Sequence, residues 1–238
     1  MNKIELLNKY IQEANNIVFF GGAGVSTESG IKDFRSKDGL YNQKYKYPPE
    51  QILSQRFFLK HTDEFYKFYK NKLNCLNAKP NICHKYLTKL EKEGKLKAII
   101  TQNIDGLHQK ANSTNVLELH GTIYKNYCMN CHKSYNADYI FNSKNIPICT
   151  CGGIIKPDVV LYEEPLDNEI ITKTIDYISK CDLLIVAGTS LTVYPAASFI
   201  RYFNGKHLVI INKDKTPSDN IADLVINDSL GNIFKKLT

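Results

Sequence analysis

Five short, nearly continuous apolar runs constrain this chain most: "NIVFF", "LKAII", "NVLEL", "LLIVA" and "LVII", each followed closely by glycine, amide, histidine or hydroxyl residues. Such runs read as strands buried on both faces. Segments with helical spacing lie between them. In residues 3 to 14, Ile4, Leu7 and Ile11 share a face that Leu6 and Tyr10 widen. The hydroxyl and acidic residues after "GGAG" are expected to cap a helix. Residues 50 to 76 are expected to be helical in two pieces divided near "HTDE", with Thr62 as cap and Asp63 and Glu64 in the first turn. Pro80-Asn81 opens a helix to about Glu93, and Gly94 stops it. Further helices are expected from about Leu166 to Ser179, after Pro195, and at the C-terminus behind a short strand, "DLVIN". "KPDVVLYEE" reads as a strand, whereas residues 122 to 156 hold cysteines and turns with little periodicity. Apolar strands alternating with helices indicate an α/β fold, a parallel sheet covered by helices on both faces.

Ligands of such sheets bind outside the C-terminal ends of the strands. Just past those ends stand "GGAGVST", "TQNID", "HG", "GTS" and "IN", a set suited to a nucleotide and its ribose. Gly22, Ala23 and Gly24 would let backbone N–H groups approach a pyrophosphate. Thr27 stands where the third glycine of the dinucleotide fingerprint belongs, and a plain tight turn is the competing reading. Gly188, Thr189 and Ser190 after a second strand, and Asn212 after a third, favour the nucleotide. In "IKDFRS", Arg35 is suited to pair with phosphate and Phe34 to cover a planar ring; the alternative for Arg35 is a loop salt bridge with Asp33 or Asp38.

The 238 residues fit one large domain, or a main domain carrying a smaller one. The net charge of +7 comes from a lysine-rich surface: of 31 basic residues only Arg35, Arg56 and Arg201 are arginines. Specific readers of bases and phosphates lean on arginine, which argues against a nucleic-acid partner. No apolar run approaches the roughly 18 residues of a membrane helix. The first 16 residues are amphipathic rather than a signal peptide, so a soluble cytoplasmic protein is expected.

Seven cysteines, an odd number, argue against a disulfide framework. Four of them, Cys128, Cys131, Cys149 and Cys151, read C-x2-C, seventeen residues, C-x-C. Four thiolates in two close pairs indicate one structural zinc ion, with no coordination position left for catalysis. Reduced, metal-free cysteines are the competing reading. Cys75, Cys83 and Cys181 are expected to be small buried apolar residues.

His120 closes the run "VLELHG", eight residues before the first cysteine pair. A lone strand histidine is commonly a satisfied core residue. Its place at a strand end, level with "QNID", equally suits a base that takes a proton from a hydroxyl. His84 and His108 fall on expected helices and are read as structural or solvated.

Taken together, "GAGVSTESGIKDFR", "TQNIDGLH", "LELHG", the paired cysteines, "KPDVVLY", "GTSLTVYPAA" and "VIIN" resemble the sirtuin family of NAD-dependent protein-lysine deacylases, in the family's order and from about residue 17 to 212. The resemblance implies a Rossmann-like part (1–38, 79–121 and 157–238) and a smaller part made of a helical module (39–78) and a zinc module (122–156), with NAD between them. Ala23, Thr27, Phe34 and Arg35 match the family's first NAD-binding segment. Gln102, Asn103, Ile104 and Asp105 match the segment around the nicotinamide and its ribose. Thr189, Ser190 and Asn212 match adenosine-side contacts, and a last adenine contact is expected near Ser229 or Leu230. His120 matches the catalytic histidine, with Asn103 and Asp105 as its companions in catalysis. Val159, Val160, Leu161, Tyr162 and Glu163 match the strand that pairs with the acylated-lysine peptide.

The resemblance also implies the reaction. The acyl carbonyl oxygen attacks the ribose carbon bearing nicotinamide, and a ribose hydroxyl, deprotonated by the histidine, attacks the resulting alkylimidate. Phe34, Ile104 and Val159 would keep water out. The same NAD site would also support mono-ADP-ribosyl transfer to protein, or a silent NAD-sensing module. Two departures stand out. Glu163 occupies the family's usual glycine position, where its charge would favour basic peptides. Tyr66 and Tyr69 stand where members that remove succinyl or malonyl groups carry Tyr-x-x-Arg. Neutral acyl groups are therefore expected.

Overall fold

The apolar runs pair into one parallel sheet in the computed structural model, which describes residues 1–34 and 39–237. Its strands are β1 (Ile17–Gly21), β2 (Leu96–Thr101), β3 (Val116–Glu118), β7 (Leu183–Ala187), β8 (His207–Ile211) and β9 (Leu224–Ile226), in the order β3-β2-β1-β7-β8-β9. A second sheet, in the order β5-β4-β6, holds β4 (Gly121–Cys128), β5 (Ser134–Tyr135) and β6 (Ile155–Val159). The helices are α1 (Lys3–Glu13), α2 (Pro49–Ile52), α3 (Gln55–Lys60), α4 (Thr62–Lys72), α5 (Ile82–Lys92), α6 (Leu107–Lys110), α7 (Ala137–Asn142), α8 (Asn168–Lys180) and α9 (Leu230–Leu237).

Continuous apolar strands follow from burial on both faces. Ile17, Phe19, Ile99, Ile185 and Val209 meet Leu7 and Ile11 of α1, Leu87 and Leu90 of α5, and Ile233 and Phe234 of α9. The alternate residues Val18, Phe20, Ile100, Val186 and Ile210 meet Ile178 of α8 and Phe199 and Ile200 of the 3-10 segment Ala196–Tyr202. A third apolar cluster joins α3 and α4 (Phe57, Phe58, Phe65, Tyr66, Tyr69) to the second sheet (Ile123, Cys128, Ile155, Val159). Caps set the helix starts. Asn2 and Asn81 each accept N–H groups in capping boxes, and Asp167 caps α8.

The strand order reverses between β1 and β7, so a crevice opens at the C-terminal ends of those two strands. Five local expectations are corrected. The loop after β1 forms two 3-10 turns, Ala23–Val25 and Thr27–Ser29, that end at left-handed Gly30, not an α-helix. The segment after Pro195 is likewise 3-10. Thr62 is the first residue of α4 and not its cap; its hydroxyl donates to the Phe58 carbonyl. Strand β6 stops at Val159, and Tyr162 makes only an isolated bridge with Ser54. Finally, β4 is a true strand inside 122–156. Its alternation is hidden by buried Asn126, whose amide donates to the Ile123 and Tyr135 carbonyls.

His84 and His108 are both buried, with ring centroids 4.7 Å apart. His84 Nε2 and both His108 ring nitrogens have no hydrogen-bond partner. Burial lowers the His84 pKa to about 4 and holds His108 well below its ordinary value, so both are neutral when folded. Unfolded, they titrate near 6.5 and bind more protons than the folded chain below that pH, so folded stability falls as pH drops from about 6.5 toward 4. Denaturant melts should show His84 contributing about 3 kcal/mol of this loss. The variant His84→Gln should lose that share of acid sensitivity; an unchanged pH dependence would contradict the assignment.

Candidate functional site

At the crevice, glycines let two loops touch. A Cβ on Gly24 would lie 2.7 Å from Gly188 Cα, and Gly188 itself has φ +59°. The Gly22 N–H donates to the Ala187 carbonyl at 3.1 Å and the Gly24 N–H to the Gly188 carbonyl at 2.8 Å. These two amides are therefore spent on joining the loops, and the glycines serve close packing rather than direct approach of their own N–H groups to phosphate. Ala23 lies between them. Thr27 donates its hydroxyl to the Gly24 carbonyl.

Beneath that loop runs a hydrogen-bonded chain. Asn103 Nδ2 donates to Ser26 Oγ at 3.1 Å, and Ser26 Oγ donates to Asp105 Oδ2 at 2.6 Å. The other Asp105 oxygen accepts the Leu107 N–H at 2.9 Å. All three side chains are buried. Burial raises the Asp105 pKa, while Ser26 and the Leu107 N–H oppose the rise. Ser26 was missed in the sequence, where it looked like one more loop hydroxyl beside Thr27. Gln102 donates its amide to Thr189 Oγ1 at 3.0 Å, linking the "QNID" loop to "GTS". Ile104 packs, partly buried, on the third cluster, as does Phe34, whose ring lies 5.4 Å from that of Tyr41. Arg35 lies outside the described residues.

His120 sits between β3 and β4. Its Nδ1 lies 2.9 Å from the Gln102 carbonyl oxygen. A carbonyl only accepts, so Nδ1 carries the proton and Nε2 is left with its lone pair. Burial lowers the His120 pKa below its ordinary value, and the Gln102 carbonyl partly opposes that. Gly121 follows with φ +72°, and a Cβ there would collide with the Asp158 carbonyl oxygen. The His120 carbonyl accepts the Val160 N–H at 2.9 Å, so the segment from Val159 to Glu163 leaves directly from the histidine.

Within that segment Leu161 is buried and Tyr162 hydrogen-bonds hydroxyl to hydroxyl with Tyr41 at 2.6 Å. Glu163 holds φ +75°, the left-handed conformation a glycine would take without strain. Its carboxylate accepts the Arg56 N–H at 3.1 Å and faces the Arg56 guanidinium at 3.5 Å. The added charge is thus met by Arg56, which removes the basis for expecting a bias toward basic peptides.

Past β7, Ser190 pairs with the Thr192 hydroxyl. Asn212, past β8, donates its amide to the Asp214 carbonyl at 2.9 Å. Ser229 Oγ accepts the Asn232 N–H, and Leu230 is buried at the start of α9. Glu28 of the first loop accepts the Gly231 N–H at 2.7 Å, fastening that loop to α9.

The Cys128, Cys131, Cys149 and Cys151 sulfurs lie within 4.8 Å of one another, with two pairs at 3.5 Å. Tetrahedral zinc with sulfur at about 2.3 Å places the sulfurs about 3.8 Å apart, which this cluster matches. Four soft donors in this geometry fit zinc. The remaining three cysteines are free thiols, Cys83 and Cys181 buried and Cys75 partly so. No helix among the described residues is long and apolar enough to cross a membrane.

Known proteins share this arrangement over nearly the full length. An NAD-dependent protein deacetylase of Clostridium perfringens is 59% identical over 240 residues, covering 99% of this chain and 98% of that protein. One from Clostridium acetobutylicum is 57% identical over 239 residues, covering 99% and 98%. Among solved structures, Sir2 with a deacetylated p53 peptide and 3'-O-acetyl-ADP-ribose superposes with a TM-score of 0.91 at 39% identity, covering 99% of this chain and 97% of that one. Sir2 with p53 peptide and NAD+ gives 0.87 at 39%, covering 100% and 97%. Residues 22–195, from the glycine loop past both cysteine pairs and the "GTS" turn, match the Sir2 family, and with these relatives they establish that the chain belongs to the Sir2, or sirtuin, family.

Proposed function

We propose that this protein removes acetyl or other neutral acyl groups from protein lysine side chains with NAD as co-substrate, releasing nicotinamide, O-acyl-ADP-ribose and free lysine. The observation that carries this reading is His120. Its Nδ1–H is anchored on the Gln102 carbonyl, which leaves a bare Nε2 in the same loop cluster as the Asn103–Ser26–Asp105 chain. A neutral imidazole so oriented accepts a proton from a ribose hydroxyl. That hydroxyl oxygen then attacks the acyl-derived carbon. Asn103 and Asp105, held by Ser26, orient the carboxamide and ribose so that the acyl oxygen meets the carbon that nicotinamide leaves. Ala23, Thr27, Phe34 and Arg35 hold the phosphate side of NAD, on a loop that Gly22 and Gly24 pack against Gly188. Gln102, Ile104, Gly188, Thr189, Ser190 and Asn212 complete its contacts. Phe34, Ile104 and Val159 exclude water, which would otherwise divert the reaction to hydrolysis.

The peptide lies along Val159–Glu163, the segment that runs on from β6, an edge strand of the second sheet. The NAD-binding part comprises 1–38, 79–121 and 157–238, and the smaller part 39–78 and 122–156. Cys128, Cys131, Cys149 and Cys151 would hold the zinc, which supplies a cross-link within the smaller part and no catalytic step. Three free thiols beside a four-cysteine metal cluster suit the reducing cytoplasm.

Neutral acyl preference rests on the helical module. Tyr66 donates its hydroxyl to the Ile155 carbonyl, and Tyr69 is buried against Phe65 and Phe141. Neither offers a cation to an acyl carboxylate. Acetyl peptides should therefore turn over at least about tenfold faster than succinyl peptides, a ratio worth about 1.4 kcal/mol. Comparable rates would refute the preference.

Mass spectrometry of an acetyl-lysine peptide tests the function itself. Wild type should lose acetyl only with NAD and release nicotinamide, and His120→Ala should be slower by about 10²–10⁴-fold. Consumption of NAD with the peptide intact would support ADP-ribosyl transfer or hydrolysis; untouched NAD would leave a binding module. Because burial lowers the His120 pKa, its neutral form persists below pH 6.5, and the acid limb of kcat/KM should fall below that value. For the metal, elemental analysis should find one zinc per chain. Stripping it should melt the third apolar cluster, in which Cys128 and Cys149 are buried. Chelation without loss of Tm would overturn the structural role.

A further inference from the structure

A buried ion pair lies under the peptide-docking segment. The side chains of Lys156 and Glu164 are only 8% and 14% exposed, and Lys156 Nζ lies 3.1 Å from Glu164 Oε2. The ammonium also donates to the Val159 carbonyl at 3.1 Å and to the Pro157 carbonyl at 3.3 Å. The same Glu164 oxygen accepts the Leu161 N–H at 2.8 Å. Residues 157 to 164 therefore wrap around one charge pair, with three backbone groups tied to it. Neighbouring residues are tied elsewhere: the Val160 N–H to the His120 carbonyl, the Tyr162 N–H to the Leu53 carbonyl.

Such a pair is an expensive way to stabilise a fold, since burying two ions costs about as much as their attraction returns. Its value lies in fixing geometry. Each carbonyl or N–H held by Lys156 or Glu164 is one whose direction is set, and a docking edge works only when its remaining groups point at the peptide. Apolar side chains of the same size would fill the space without orienting the Val159 carbonyl or the Leu161 N–H.

We propose that Lys156 and Glu164 are positioning residues for peptide recognition: their ion pair shapes the Val159–Leu161 edge on which the acyl-lysine peptide docks. This rests on the deacylase reading, which supplies the peptide. Neither side chain touches the acyl group or NAD. Peptide affinity should therefore depend on the pair, whereas NAD affinity and the chemical step should not.

The test compares Lys156→Met, Lys156→Arg and wild type by steady-state kinetics, by calorimetric titration of an acetyl-lysine peptide, and by NAD titration. Lys156→Met should raise peptide KM and Kd about tenfold or more, with kcat and NAD Kd nearly unchanged. Lys156→Arg keeps the cation and its donors, and should restore most of the peptide affinity. Should Lys156→Met fail to fold, Glu164→Gln decides the matter. It keeps an acceptor for the Leu161 N–H, loses the charge, and should show the same split. A folded variant with unchanged peptide Kd overturns the proposal, as does an equal loss of peptide affinity, kcat and NAD affinity, the mark of general disruption. Wild type that binds peptide without deacylating it would sink the deacylase reading alone, because the peptide Kd ratio would still decide the role of the pair.

Discussion

One hydrogen bond organises the site: His120 Nδ1–H to the Gln102 carbonyl. It fixes which imidazole nitrogen is bare, and it ties the end of β3 to the end of β2. The same two residues reach further. Gln102 spans to Thr189 beyond β7, and the His120 carbonyl accepts the Val160 N–H just past β6. The loops after β2 and β7 and the segment after β6 are thereby registered to one pair of residues. A deacylation that must bring an acyl oxygen, a ribose carbon and a base together within a few tenths of an ångström needs such a common reference.

Around that reference the chain spends stability on polar groups it keeps dry. Asp105, Asn103 and Ser26 are buried and satisfy one another. Lys156 and Glu164 do the same beneath residues 157 to 164. Glu163 accepts a left-handed backbone and hands its carboxylate to α3. Networks of this kind add little net stability, but they narrow the geometries open to the loops. The apolar sheet with its two covered faces provides the stability that permits this.

Much of this was legible in the residues. The parallel sheet followed from apolar runs, the cysteine cluster from spacing, and the crevice from what stood past each strand. What escaped had physical causes. Buried Asn126 broke the alternation that would have revealed β4. The 3-10 turns after β1 and after Pro195 share helical composition but stop at Gly30 and Phe203. Ser26 carries no signal by itself, because its meaning lies in partners 77 and 79 residues away. The glycines of the first loop announced close approach without saying to what; the neighbour is the Gly188 loop. Arg56 as partner of Glu163 could be read from neither position alone.

The central claim is the state of His120. Nitrogen-15 NMR of histidine-labelled protein, assigned by loss of one signal pair in His120→Ala, would read it directly. The ring should be neutral at pH 7, protonated on Nδ1 and bare on Nε2, and should titrate below 6.5. A ring protonated on Nε2, or an imidazolium at pH 7, would contradict it.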